Sequence, residues 1–133
     1  MSSQADHARM LLARARDDLY VVRRLRGEQD APGWVLGFHA QQAVEKALKS
    51  ALTSHGIEYP RTHNLVMLME LLRRAQIVLP PDAAALGLLV PFGVLLRYED
   101  AGDAESPPIA PDGFEGLVGR TMDWAAEILK KED

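Results

Sequence analysis

Cysteine is absent from all 133 residues, which excludes disulfides, thiolate metal sites and a cysteine nucleophile. Strand signals are missing as well: β-branched residues are scattered, and no alternating run exceeds about four residues. No apolar stretch approaches the ~20 residues needed to cross a bilayer, so no membrane role is expected. The opening MSSQADHARM lacks the charged-then-apolar pattern of a secretion signal, and a cytoplasmic location is expected. Internal repeats and low-complexity tracts are also lacking. A net charge of −4 argues against a surface coated for nucleic acid, while leaving local basic patches open. What remains, with 47% hydrophobic and 26% charged residues, is the composition of a globular protein. The length suits one domain over residues 1–133, with a core that needs neither metal nor disulfide.

The dominant positive signal is helical periodicity, and it is strongest from Trp34 to Leu52, WVLGFHAQQAVEKALKSAL. Ala40, Ala43, Ala47 and Ala51 recur at i, i+3, i+7 and i+11 with Val44, Leu48 and Leu52 alongside, which predicts a helix buried along much of its surface. The small alanines admit closely packed neighbours. A second face carries Phe38, Gln42, Glu45 and Lys49, and the Gln41-Gln42 and Glu45-Lys46 pairs put polar groups at the edge of the packing. Glu45 and Lys49 are ordinarily a solvated i,i+4 pair worth about 0.2–0.5 kcal/mol; a binding role is the alternative.

Around this stretch the chain predicts four more helices. Ala8, Leu11, Leu12, Ala15, Leu19, Val22 and Leu25 give a first helix from Gln4 to about Arg26, ended by Gly27. Its outer faces hold Arg9, Arg14, Arg16, Arg23, Arg24 and Arg26, with Asp17 and Asp18 expected in local pairs with Arg14. A solvated face is the ordinary role of such arginines, and an anion-binding surface is the alternative. After the central helix, His55, Gly56 and Pro60 form a stop and a turn. Thr62 then offers an N-cap for a third helix with Leu65, Leu68, Leu72 and Ala75 buried. Pro81 suits the first position of a fourth helix, about Asp82 to Tyr98, that is apolar almost all round and so is buried in the bundle or against another subunit. Pro91 predicts a kink near Gly87 to Pro91. Arg97, at the edge of this apolar surface, requires water or an anionic partner, and Glu45 or Glu99 could serve. The aperiodic, acidic and proline-bearing run Glu99 to Asp112 predicts a loop. Phe114, Leu117, Val118, Thr121, Ala125 and Ile128 define a last helix to about Lys130. Gly113, Gly116 and Gly119 thin one of its faces and are not a phosphate loop, which needs a preceding strand. The predicted fold is all-α, an up-and-down bundle of four long helices plus an additional helix.

Three strings, in order and spacing, resemble the HEPN domain family: Phe38 to Leu52 (FHAQQAVEKALKSAL), Arg61 to Leu65 (RTHNL) and Arg97-Tyr98, with the AAEILKK ending similar to the family's last helix. The resemblance implies a bundle of four or five helices, frequent homodimers, and association with nucleotidyltransferase partners or with RNA. Many members are metal-independent RNases with an Arg-x(4–6)-His motif. Arg97 stands where that arginine would be, but the matching positions for histidine are Gly102, Asp103 and Ala104, and none of His7, His39, His55 or His63 follows an arginine at that spacing. His63, in the family's Thr-His-Asn-Leu string, is the remaining acid-base candidate; its ordinary role would be a cap residue whose ring hydrogen-bonds the bundle near the third helix. His39, His55 and His63 do not form a zinc pattern, and no metal or cofactor is expected.

The function expected on this basis is that of a non-enzymatic HEPN homodimer within a toxin-antitoxin-type pair. It would bind a minimal nucleotidyltransferase, a nucleotide or RNA in a cleft near Arg97, using Arg97, Tyr98, Gln42, Glu45, Lys46, Lys49 and His63. One alternative is a metal-independent RNase in which Arg97 stabilises the transition-state phosphate and a non-standard group, His63, supplies acid-base chemistry. Another is a purely structural dimerisation domain.

Overall fold

Caps and apolar stripes set the helix boundaries. The computed structural model of the chain describes residues 3–95 and 111–132. They run α1 (Gln4–Leu25), α2 (Gly33–Ser54), α3 (Leu65–Arg74), α4 (Ala83–Leu86), a 3-10 turn (Gly87–Leu89), α5 (Val90–Leu95) and α6 (Pro111–Glu132), with no strand among the described residues. The all-α expectation is borne out.

Ser3 opens α1 by accepting the Asp6 N–H, one of the donors a helix start leaves unpaired. The expected stop after α2 is present: Gly56 takes φ 71, a left-handed value that suits glycine, and the Ile57 N–H closes on the Leu52 carbonyl at 2.9 Å. Thr62 does not cap α3. Asn64 does, its side chain accepting from Val66 and Met67 N–H at 2.9 and 3.3 Å, while the Thr62 hydroxyl accepts from the Asn64 N–H one step earlier. An Asx side chain in that position reaches the free amides directly, and the helix begins two residues later than a threonine cap would place it. Ala75 is consequently the C-cap of α3 and is exposed, not part of the buried stripe.

The apolar run after Pro80 departs most from a regular helix. Pro81 is not its first helical residue: Asp82 is the N-cap and helix begins at Ala83. The kink expected near Gly87 to Pro91 takes the form of the 3-10 turn, which separates α4 from α5. A turn with three residues per period keeps Leu86 and Leu89 on one side; both are fully buried, while Leu88 is 46% exposed. α6 begins at Pro111, earlier than Phe114, because a proline without an N–H is well suited to the first turn. The remainder of the expected loop, residues 99–110, lies outside the described residues, as do Arg97 and Tyr98.

Polar contacts fix the topology. The Gln4 side-chain amide donates to the Ser54 carbonyl at 3.2 Å, joining the start of α1 to the end of α2. Arg23 and Arg26, at the end of α1, both reach Glu115 near the start of α6, at 2.9 and 2.8 Å. α1 therefore runs antiparallel to both α2 and α6. Ala40, Ala43, Val44, Ala47, Leu48, Ala51 and Leu52 are fully buried, placing α2 at the centre of the bundle. α5 is pinned against it by Phe92. A Cβ on Gly37 would lie 2.3 Å from that ring, so only glycine admits it, and the Phe92 ring meets Phe114 of α6 edge-on. No helix among the described residues is long and apolar enough to cross a membrane.

Candidate functional site

One face of α2 turns a carboxylate into the bundle. Glu45 is only 4% exposed, and a buried carboxylate is tolerated only when donors satisfy it. Among the described residues three side chains do so. Lys49, one turn on, donates at 2.8 Å. Gln41, one turn back, donates at 3.0 Å. His63, from the segment leading into α3, brings Nδ1 within 3.0 and 3.2 Å of the two oxygens.

Gln41 ties the arrangement together. Its Nε2 also reaches the His63 carbonyl at 3.0 Å, and its Oε1 accepts from Gln42 Nε2 at 2.7 Å. α5 approaches so closely that a Cβ on Gly93 would lie 3.0 Å from the Gln41 amide. Lys49 places its ammonium 5.5 Å from the Tyr59 ring centre, a cation-π distance. No buried side-chain nitrogen or oxygen among the described residues lacks a partner.

Burial raises the Glu45 pKa, but the hydrogen bonds from Lys49 and Gln41, the Lys49 charge and the His63 bond outweigh it and hold the carboxyl below its ordinary value. An ionised carboxylate can only accept, so the hydrogen between Glu45 and His63 belongs to Nδ1. In the neutral imidazole that leaves Nε2 as the lone-pair nitrogen, and it has no partner among the described residues. His63 lines a cavity of about 360 Å³ together with Arg61, Thr62, Asn64, Val90 and Gly93. Arg61 is exposed there and forms no ion pair with the described residues. A guanidinium and an imidazole nitrogen at one opening can receive an anion and exchange a proton with it.

Of the residues singled out in the sequence, Gln42, Glu45, Lys49 and His63 come together. Lys46 does not join them. It points to α1 and meets Asp18 at 2.6 Å, since successive residues on a helix face different directions. Asp18 is likewise not a partner of Arg14; it is buried and also holds His39 Nδ1 at 3.0 Å, whereas Arg14 pairs with Asp17. The spacing contained this: Asp18 lies three residues after Ala15 and four before Val22, on the apolar stripe. Among the described residues Glu45 takes hydrogen bonds from Lys49, Gln41 and His63; the expected contact with Arg97 lies outside them. His63 binds through its ring to Glu45, and capping falls to Asn64. Gln41, from one of the polar pairs expected at the edge of the packing, is the centre of this network, whereas Arg61 enters through the cavity and no local signal beyond the RTHNL string marks it.

A family model described as HEPN domain matches residues 8–131. The chain belongs to the HEPN family. The match includes the central helix with its Glu45 network, the Arg61 to Leu65 string of the cavity and the terminal helix. No curated protein and no solved structure matches the chain.

Proposed function

We propose that this HEPN domain binds a nucleotide or RNA, taking a phosphate group in the cavity between Arg61 and His63. It does so as a homodimer associated with a minimal nucleotidyltransferase in a toxin-antitoxin-type pair, without catalytic turnover. The observation that carries the binding role is the His63 imidazole, held through Nδ1 by buried Glu45 beside an Arg61 guanidinium with no acidic partner among the described residues. Guanidinium favours phosphate through paired N–H donors. The partner protein and the pairing rest on the resemblance of the AQQAVEKALK and RTHNL strings to HEPN proteins. Arg97 and Tyr98 enter on the same ground. The absence of turnover rests on the missing Arg-x(4–6)-His histidine.

One feature of the geometry favours a second role, RNA cleavage with His63 as the acid-base group: a carboxylate that fixes the tautomer and orientation of an imidazole is the usual support for such a residue. One experiment separates the two. Mixed RNA is incubated with the protein in EDTA, alongside Arg61→Ala, His63→Ala and Arg97→Ala, with binding read by gel shift. The expected result is uncut RNA whose binding weakens in Arg61→Ala and Arg97→Ala. Cleavage by the native chain that falls about 10²–10⁴-fold in His63→Ala would establish the second role instead. Failure of a nucleotidyltransferase to co-purify with the tagged protein from its source cells would remove the partner.

A further inference from the structure

Nearly every described arginine is engaged. Arg9, Arg14, Arg23, Arg26, Arg73, Arg74 and Arg120 each meet a carboxylate, and Arg24 lies over the Tyr20 ring. Two are left without either contact among the described residues: Arg61, in the cavity above, and Arg16. Arg16 also lines a cavity, a separate one of about 310 Å³ between α1 and α6.

The α1 wall of this groove carries Arg16, Leu19, Tyr20 and Arg23. Glu115 holds Arg23 through Nε at 2.9 Å, which fixes the guanidinium and leaves its two terminal nitrogens without an acceptor among the described residues. Tyr20 is 62% exposed. The α6 wall carries Gly119 and Met122, with Asp123 at the side.

Gly119 is the telling residue. Glycine inside a helix is disfavoured, surpassed in cost only by proline, and a close neighbour commonly explains it. Gly37 and Gly93 have such neighbours in Phe92 and Gln41. Gly119 has none: among the described residues nothing lies within 4 Å of the place its Cβ would occupy. The space above it is unused by the described residues and opens on the groove.

We propose that the α1–α6 groove binds a small molecule carrying a phosphate group on a flat apolar body. The phosphate sits between Arg16 and the terminal nitrogens of Arg23, which together offer planar, paired donors. The body lies over Gly119 against Leu19 and Met122, with the Tyr20 ring at its edge. Asp123 accepts from a hydroxyl or amine on the body and repels the phosphate, so the ligand has one orientation. The volume stands at the lower end of the ~300–1,000 Å³ usual for ligand pockets, which limits the body to about one ring system. This groove shares no residue with the Arg61–His63 cavity, and its occupancy is independent of the function proposed there.

The test uses phenyl phosphate as the probe, followed by amide shifts of the nitrogen-labelled full chain, with inorganic phosphate and phenol titrated in parallel. Saturable shifts are expected at amides within 16–23 and 119–126, at lower concentrations of phenyl phosphate than of either half alone. Arg16→Gln is expected to weaken binding by about tenfold or more, one lost charge-assisted contact at 1.4 kcal/mol per factor of ten. Gly119→Leu, which fills the groove from the α6 side, is expected to abolish saturation while the remaining amide spectrum stays native. The proposal fails on any of three results: no saturable shift at millimolar probe, inorganic phosphate binding as well as phenyl phosphate (an adventitious anion only), or undiminished affinity in both Arg16→Gln and Gly119→Leu.

Discussion

Glu45 and its three donors are the most consequential polar contact in the bundle. Lys49 is largely buried beside it, with its side chain 15% exposed. Glu45→Ala would leave an ammonium, an amide and an imidazole N–H without their acceptor, and breaking a buried pair of this kind costs about 3–5 kcal/mol. A lower urea midpoint with an unchanged slope is the expected readout; a midpoint within error of the native chain would show that solvent readily replaces the carboxylate. The pH dependence follows from the same group. Its folded pKa is lowered, so its contribution is complete above the ordinary glutamate value of about 4.3 and is lost as pH falls through the lower folded value. Glu45→Gln is expected to flatten the acid limb of the stability profile in that window. The sequence carried Glu45, Lys49, Gln42 and His63 as candidates because helical spacing and the Thr-His-Asn-Leu string are local. It did not carry the choice between Lys46 and Gln41. Whether a side chain on α2 meets α1 or the segment before α3 depends on how the helices are rotated against each other, and Asp18, which draws Lys46 away, is 28 residues distant in the chain.

Helices were legible where an apolar stripe ran long enough to fix the period, as in α1, α2 and α6. Their ends were less so, because a cap depends on which of several adjacent polar side chains reaches the free amides. Thr62 and Asn64 were both chemically suitable, and only the backbone geometry selected Asn64. The apolar pattern from Asp82 onward predicts one kinked helix, since composition alone does not tell a bent helix from two short ones joined by a 3-10 turn. Glycines make the packing of these elements testable in both directions. Gly37→Ala would drive a Cβ to 2.3 Å from the Phe92 ring, and forcing atoms into a packed core costs about 1–3 kcal/mol. Gly119→Ala meets none of the described residues within 4 Å and exchanges the weaker helix former for the best, a gain of about 0.8–1 kcal/mol. Thermal melts should therefore move down for the first and up by a few degrees for the second. An upward shift for Gly37→Ala would mean that helix propensity, and not contact with Phe92, governs position 37.

At the level of the whole molecule, the unsettled surface is the one where α3 begins. Val66, Met67 and Leu88 are 54%, 43% and 46% exposed, and Val66 lies 3.7 Å from the Cβ position of Gly87, so the start of α3 and the 3-10 turn form one apolar area. The run Leu86 to Leu96 was expected to be buried within the bundle or against another copy. The bundle covers Leu86 and Leu89 but not Leu88, and exposed apolar groups that stand together are a usual mark of an interface. We expect a two-fold homodimer across this area. In a two-fold interface each substitution acts twice, because the same residue enters from both subunits. Assembly at tens of micromolar corresponds to about −6 kcal/mol, while burying an unpaired carboxylate from each copy would cost several kcal/mol. Leu88→Glu should therefore give a monomer by sedimentation at concentrations where the native chain is dimeric, with its circular dichroism unchanged because Leu88 takes no part in the core. A native chain that sediments as a monomer across that range would remove the dimer altogether. A Leu88→Glu protein that remains dimeric would place the interface elsewhere on the bundle, away from α3 and the turn that follows α4.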